Sequence, residues 1–431
     1  MANTYHAIII LPGTTGTSLV INQSDEASTS PLWTTQALKE AALPASAAIV
    51  AGEMSESLYA GMPAGFDTTN SGYGALINSI VTAANASNPN SYSFQYAYWP
   101  TNTPPNMPEN ALPWLNSDLT GNTVIGWGYD WRQDNLLVSA QMLQNFLNYL
   151  VNSQNVGKIT LIGHSMGGLV ARSYLESVGK SDNTIIGMID QLITLGTPHL
   201  GAPMALAPIS NTMSTSVAGD DSLNPFIQIF DDWLAGLEQI AADNVLAMFH
   251  AFVNGSMGVS TYQLLPPNLS SDTLSNFITY SGPKVTTESY PIYPFANLPT
   301  PVQKRLNNTN FNSTNLAAAE KLFSNLNYTS APPVPYHCIY GVVSTTEPSA
   351  TTAATGTITG FTAAPGELFD TVLTPVWTDG GGDTIVPIYS AMFSTNSNVT
   401  TYGVNGADHI HMPSNAGVQS QVNALLGFSA S

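Results

Sequence analysis

Residues 158–179 read KITLIGHSMGGLVARSYLESVG, and inside them the periodicity changes at one serine. Ile159, Leu161 and Ile162 form a short apolar run of strand character, while from Met166 onward Leu169, Val170, Ser173 and Tyr174 recur at helical spacing. Gly179 is the expected left-handed stop of that helix. Between the halves lies Gly163-His164-Ser165-Met166-Gly167, which fits G-x-S-x-G. In that pattern a serine on a sharp strand-to-helix turn takes a strained backbone conformation, and small neighbours must make room for it. Ser165 is therefore expected above the end of a strand, at a helix N-terminus that favours developing negative charge.

Further from the serine the chain alternates strand and helix. Ala7–Leu11 is a buried-type strand followed at once by PGTTGTSL, where Pro12, Gly13 and Gly16 make a tight turn that exposes backbone amides. Residues 23–75 are polar and irregular, and 99–121 form a Pro/Asn-rich loop. A strand at 123–126 runs into Gly128-Tyr129-Asp130-Trp131-Arg132, and an amphipathic helix follows through Leu136, Leu143, Phe146, Leu147 and Leu150. Two aromatics bracket Asp130 and Arg132, which favours a buried structural ion pair over a surface one. Another apolar strand, 185–196, ends in GTPHLGAP; His199 in that loop reads as a loop residue without a chemical role.

From 203 to 335 the alternation breaks down. After Asn224-Pro225 comes an apolar helical pattern with Phe226, Phe230, Trp233, Leu237, Ile240, Met248 and Phe252 near one face, ending by Gly255. The expected organisation is a core of residues 1–202 and 336–431 with a cap inserted at 203–335, Phe230 and Trp233 lining an acyl pocket; extra core is the alternative. Residues 283–303 and 305–335 read as loops and cap elements.

The sheet resumes at Tyr336-His337-Cys338-Ile339-Tyr340-Gly341, a Ser/Thr/Ala-rich insertion follows, and then WTDGGGDTIVPIYSAMF from Trp377. Asp383 stands on a glycine-rich turn directly before the next ordered segment and is preferred to Asp379 as a carboxylate partner. A strand at 399–404 leads into Gly406-Ala407-Asp408-His409-Ile410-His411-Met412 and a closing helix at 417–426. His409 follows the small-residue turn directly and is preferred to His411 as the base. The order Ser165, Asp383, His409 is that of an α/β-hydrolase and differs from those of chymotrypsin-like and subtilisin-like proteases.

Composition narrows the class of function. With 9 Lys+Arg against 28 Asp+Glu, a formal net charge of -19 and only 9% charged residues, the chain is a poor partner for nucleic acid or an anionic lipid surface. Any lipid contact is expected to be apolar, through the cap. Cys338 is the single cysteine, so neither an internal disulfide nor a thiol-rich metal site is expected. The Ser, Thr, Asn and Gly that replace charge favour an extracellular setting, although MANTYHAIIILPG carries no cleavable export signal; the compartment stays open. No run approaches the roughly 18 apolar residues of a membrane span.

Five pieces, LPGTTGTSL at 11–19, GYDWR at 128–132, GHSMGG at 163–168, YHCIYG at 336–341 and GADHIHM at 406–412, resemble the lecithin:cholesterol acyltransferase-like branch of the α/β-hydrolases, in that family's order. The resemblance implies an α/β-hydrolase fold with a mostly parallel central sheet flanked by helices and a largely helical cap. It implies Ser165 as nucleophile, Asp383 as acid, His409 as base, and the Thr15 and Met166 amides as oxyanion hole. Family members with disulfides differ from this chain, whose single cysteine closes none. The implied activity is hydrolysis of lipid-type carboxylic esters through an acyl-enzyme, with no cofactor and no metal. The alternatives are acyl transfer to an alcohol, amide or thioester cleavage by the same groups, and a binding protein with an inactive site.

Overall fold

The computed structural model describes residues 5–14, 16–20, 59–63, 72–87, 91–98, 114–115, 117–212, 250–256, 258–269, 276–282, 287–344, 356–365 and 371–428. Strand β1 (Tyr5–Leu11) has Ala7 to Leu11 fully buried because both faces of the sheet are covered: Ile8 and Ile10 point to one face, Ala7, Ile9 and Leu11 to the other. Such double burial is why the strand reads as an unbroken apolar run. Each Ile or Leu taken fully out of water contributes about 1.5–3 kcal/mol, so a run of this kind anchors the sheet.

A short pair, β2 (Thr17–Val20) and β3 (Tyr59–Pro63), stands apart from the main sheet. The main sheet adds β4 (Tyr92–Tyr98), β5 (Trp114–Leu115), β6 (Asn122–Trp127), β7 (Val156–His164) and β8 (Ile189–Leu195), all N-terminal to the insertion. Past β9 (Ile278–Tyr280) and β10 (Glu288–Tyr290), it is completed by β11 (Tyr336–Val342) and, beyond β12 (Thr357–Pro365) and β13 (Thr371–Thr378), by β14 (Thr400–Asn405). Its order is β14-β11-β8-β7-β1-β6-β4-β5; all pairings are parallel except the short β4–β5 edge. This is the α/β-hydrolase fold.

Helices α1 (Gly72–Ser87), α2 (Ala140–Ser153) and α3 (Met166–Ser173) precede the insertion, α4 (Thr300–Asn307) and α5 (Ser313–Asn325) lie within it, and α6 (Ala416–Leu425) closes the chain. Leu76, Ile77 and Ile80 of α1 and Val418 and Val422 of α6 cover Ile8, Ile10 and Ile162 on one face. On the other face Leu143, Phe146, Leu147 and Leu150 of α2 and Val170 of α3 cover Ile9, Leu11 and Leu161. The chain leaves β1 toward β4 and β6 and returns past β1 to β7, so the loops after β1 and β7 part at adjacent strands. A crevice at the carboxyl end of such a switch point is the ordinary place for a ligand in an open α/β sheet.

Several local expectations change. Gly179 has φ −89 rather than a left-handed value; it is small because the Tyr174 ring occupies the space its Cβ would need. The polar stretch 23–75 includes β3 and the start of α1, while the Pro/Asn-rich segment up to 335 contains α4 and α5, started by Pro301 and by the Asn312 side chain, which accepts from the Thr314 and Asn315 amides. A second sheet, β10-β9-β12-β13, joins strands on both sides of the expected 335/336 boundary. Phe230, Trp233 and most of the apolar segment between 224 and 255 lie outside the described residues.

Candidate active site

Ser165 lies between β7 and α3 with φ 53 and ψ −127, an uncommon conformation for a residue with a side chain. Its neighbours show why glycine is required. A Cβ on Gly167 would overlap the Leu11 and Pro12 carbonyls, and one on Gly163 would overlap the Gly168 backbone. Ser165 N–H donates to Leu195 O at 2.8 Å, tying the turn to β8.

The Ser165 hydroxyl donates to His409 Nε2 at 2.8 Å, and His409 Nδ1–H donates to Asp383 Oδ2 at 2.8 Å. All three residues are buried. The other carboxylate oxygen of Asp383, Oδ1, accepts from the Ile385 and Val386 amides at 3.1 and 2.7 Å, which fixes the plane of the acid. The turn carrying it returns to the end of β11, where Val343 N–H donates to Gly382 O at 2.9 Å; the β12–β13 hairpin is thus an excursion between β11 and its own carboxyl-end loop. Thr384, next to the acid, has φ 83, so backbone strain recurs at two points of one site.

His409 is held by its main chain as well as its ring. Its N–H donates to Asp383 O at 2.7 Å, and its carbonyl accepts from His164 Nε2–H at 2.9 Å. Gly196, with φ +56, lies beneath the pair: a Cβ there would be 2.6 Å from Asp383 Oδ2 and 3.1 Å from His409 Nδ1.

The competing residues are elsewhere. Asp379 is exposed on the turn before the glycines. His411 is exposed and bonds Asp408 at 2.8 Å. His199 is fully buried, stacked on Phe393 with centroids 4.8 Å apart, beside Thr194 and Arg172. Burial and then the Arg172 charge drive its pKa far below the usual histidine value, so it is a neutral packing residue. Arg172 is itself matched by Glu176 at 2.9 Å, and Asp130 and Arg132 form a buried pair at 2.8 Å.

Of the amides expected to face an oxyanion, Met166 opens α3, where the first amides lack intrahelical partners; Thr15 lies outside the described residues. The turn before it is pressed against the serine, since a Cβ on Gly13 would be 2.7 Å from Ser165 Cβ and 3.3 Å from its Oγ. The sequence reading missed Tyr73, His164 and Gly196. Tyr73 was hidden at the start of an unrecognised helix, and His164 stood at a variable position of the motif; the glycine before Thr197-Pro198 was the one available signal for Gly196.

The sequence profile of the lecithin:cholesterol acyltransferase family matches residues 119–415. A phospholipase A(1) of Arabidopsis thaliana, LCAT3, is 32% identical over 113 residues, 25% of this chain and 23% of its own length. A putative GPI inositol-deacylase C of Yarrowia lipolytica is 36% identical over 101 residues, 21% of this chain and 12% of its own length. The chain spans less than a quarter of the length of these curated relatives. A putative cell surface hydrolase of Lactobacillus plantarum is similar at 13% identity and TM-score 0.35, with 100% of this chain and 95% of that one covered.

Proposed function

The chain belongs to the lecithin:cholesterol acyltransferase family of α/β-hydrolases, and from that premise we propose that it cleaves lipid-type carboxylic esters through a covalent acyl-enzyme on Ser165. The observation that carries the reading is the hydrogen-bonded line Ser165–His409–Asp383 on a strained strand-to-helix turn. In the proposed sequence, His409 takes the Ser165 proton as Oγ attacks the ester carbonyl, then returns it to the leaving alcohol. Asp383 holds the imidazole tautomer and stabilises the imidazolium. The Met166 amide and the Thr15 amide receive the developing oxyanion, a contribution of roughly 10²–10³ in kcat for each donor. The Gly13 amide is already bonded to Tyr73 at 2.8 Å, which supports assigning the second donor to a later residue of that turn.

Water then attacks the acyl-enzyme; an alcohol in its place makes the protein an acyltransferase, the alternative supported by the family's name. Residues 203–335 act as the cap, to which the β12–β13 hairpin is added on the strength of its pairing with β9. Phe230 and Trp233 are assigned to the acyl chain because they fall on the apolar side of their segment. Among the described residues no helix is long and apolar enough to cross a membrane. With 9 Lys+Arg and a formal net charge of -19, contact with lipid is proposed through the apolar side of the cap.

A fluorophosphonate probe is expected to label the parent and leave Ser165→Ala unlabelled; labelling of the variant sinks the assignment. Across p-nitrophenyl esters from C2 to C16, each added methylene contributes at most about 0.8 kcal/mol, so two to four carbons raise kcat/KM roughly ten- to several-hundred-fold. A profile that falls from C2 onward rules out a lipid-type substrate while leaving the serine chemistry intact.

A further inference from the structure

Tyr73 connects three parts of the site that are remote in sequence. Its oxygen accepts from Gly13 N–H at 2.8 Å, in the turn after β1. Its hydroxyl lies 2.6 Å from Nδ1 of His164, the residue before the nucleophile. His164 Nε2 in turn lies 2.9 Å from the backbone carbonyl of His409. The directions of these bonds are set by chemistry. A carbonyl only accepts, so His164 carries its proton on Nε2; Nδ1 is then the acceptor, and Tyr73 must be the donor to it. The chain runs one way: Gly13 N–H to Tyr73, Tyr73 O–H to His164 Nδ1, His164 Nε2–H to His409 C=O.

We infer that Tyr73 and His164 are positioning residues of the proposed reaction, a bridge that holds the base and the turn after β1 in register with Ser165. The inference rests on the Ser165–His409–Asp383 reading and extends it. Neither side chain occupies a position in the Ser165–His409–Asp383 line, yet between them they grip both of its flanks. The His409 backbone is then fixed at its N–H by Asp383 O and at its carbonyl by His164, so the imidazole has little freedom to swing away from Ser165. On the other flank, pinning the Gly13 amide orients the turn that lies against Ser165 Cβ. Both effects act on an attack geometry in which misplacement of 1 Å costs about 10²-fold.

The bridge also suits the charge that appears during turnover. The His164 and His409 rings are 5.0 Å apart, and a second imidazolium at that distance would oppose protonation of the base. Burial first, and then His409, bring the His164 pKa down to about 3, so His164 stays neutral when His409 takes the serine proton.

Tyr73→Phe removes one oxygen and keeps the ring. The test compares it with His164→Gln, whose amide keeps a donor, with His164→Ala, and with Tyr92→Phe, which removes a hydroxyl bonded to His6 at 2.6 Å near the N-terminal end of β1. The readouts are the acylation rate with a p-nitrophenyl ester, KM, the rate of fluorophosphonate labelling and Tm, with Ser165→Ala as reference. For Tyr73→Phe, acylation and labelling fall about 10- to 100-fold while KM stays within about twofold and Tm moves no more than in Tyr92→Phe. His164→Gln retains about tenfold more activity than His164→Ala, and the loss in Tyr73→Phe/His164→Ala is smaller than the product of the two single losses, because the Tyr73–His164 bond is shared while the Gly13 contact is not. A Tyr73→Phe enzyme that acylates at the parent rate overturns the bridge, as does a loss matched by Tyr92→Phe or one confined to KM. Labelling of Ser165→Ala overturns the serine reading itself and the bridge with it, a result distinct from the others.

Discussion

Two histidine–aspartate pairs in this chain have histidines two positions apart and the same length. His409 bonds Asp383 at 2.8 Å with 6% and 0% of the two side chains exposed, whereas His411 bonds Asp408 at 2.8 Å with 68% and 36% exposed. Distance does not separate them; surroundings do. Asp383 is held by two backbone amides and His409 faces a serine, while the outer pair is a local contact three residues apart in solvent. A pair that water can replace is worth about 0–1 kcal/mol, and the same two groups in a dry, fixed frame can move a proton on demand.

The most severe way to break the inner pair is at its ends. Ser165→Ala and His409→Ala are each expected to lower kcat by about 10⁴-fold or more, and Asp383→Asn by about 10⁴-fold, in steady-state ester hydrolysis with the fold intact by circular dichroism. The matching outer changes, His411→Ala and Asp408→Asn, should leave kcat within about twofold, as should Asp379→Asn. A dead His411→Ala enzyme would show that the base was misassigned.

Gly196→Ala sharpens the comparison without replacing either inner partner. Its methyl group must enter the space of Asp383 Oδ2 and His409 Nδ1, from a backbone already at φ +56, so kcat should fall about 10- to 100-fold with Tm lowered as well. An unchanged kcat would mean that the pair tolerates displacement.

Acid separates the buried histidines from the outer pair. Burial is the first cause that lowers His164 to about 3, His6 to about 4, and His199 well below 6.5. Below about pH 6.5 the unfolded chain binds protons that these residues refuse in the fold, so stability is lost as pH drops from there toward the folded values, at about 1.4 kcal/mol per pH unit for each histidine. Urea midpoints between pH 7 and 5 should record this, and His6→Gln should make the fall shallower by one such increment.

The outer pair is expected to give the smallest effect. Burial would raise Asp408, but its hydrogen bonds with His411 outweigh that and lower its pKa. Its contribution is therefore present above the ordinary aspartate range and lost as pH falls through the lowered value. Asp408→Asn should cost less than about 1 kcal/mol at neutral pH.

How legible this was depended on the range of the interaction. The turn at Ser165 announced itself because strand period, helix period and small neighbours meet within a few residues; Asp383 stood on a glycine-rich turn before an ordered segment, and His409 directly after a small-residue turn. The buried strands were legible for the same local reason. Tyr73 and His164 were not, because the role proposed for them depends on a contact 91 residues apart that no pattern records. Gly179 was misread because glycine serves positive φ and close packing equally well, and here Tyr174 fills the space. The β12–β13 hairpin was lost in a Ser/Thr/Ala-rich stretch whose pairing partner, β9, lies far upstream.

Ser165 and His409 are separated by 244 positions. On a ribosome that adds about 5–20 residues each second, the proposed nucleophile exists for roughly 12–50 seconds before its proposed base is translated. During that interval Ser165 lacks its His409 partner, and a polypeptide interrupted anywhere before His409 is released without it. The order of these residues along the chain thus doubles as a delay. A lipid-cleaving activity of the kind proposed would switch on only once the strand at 400–405 has docked beside β11 and carried the histidine to its place.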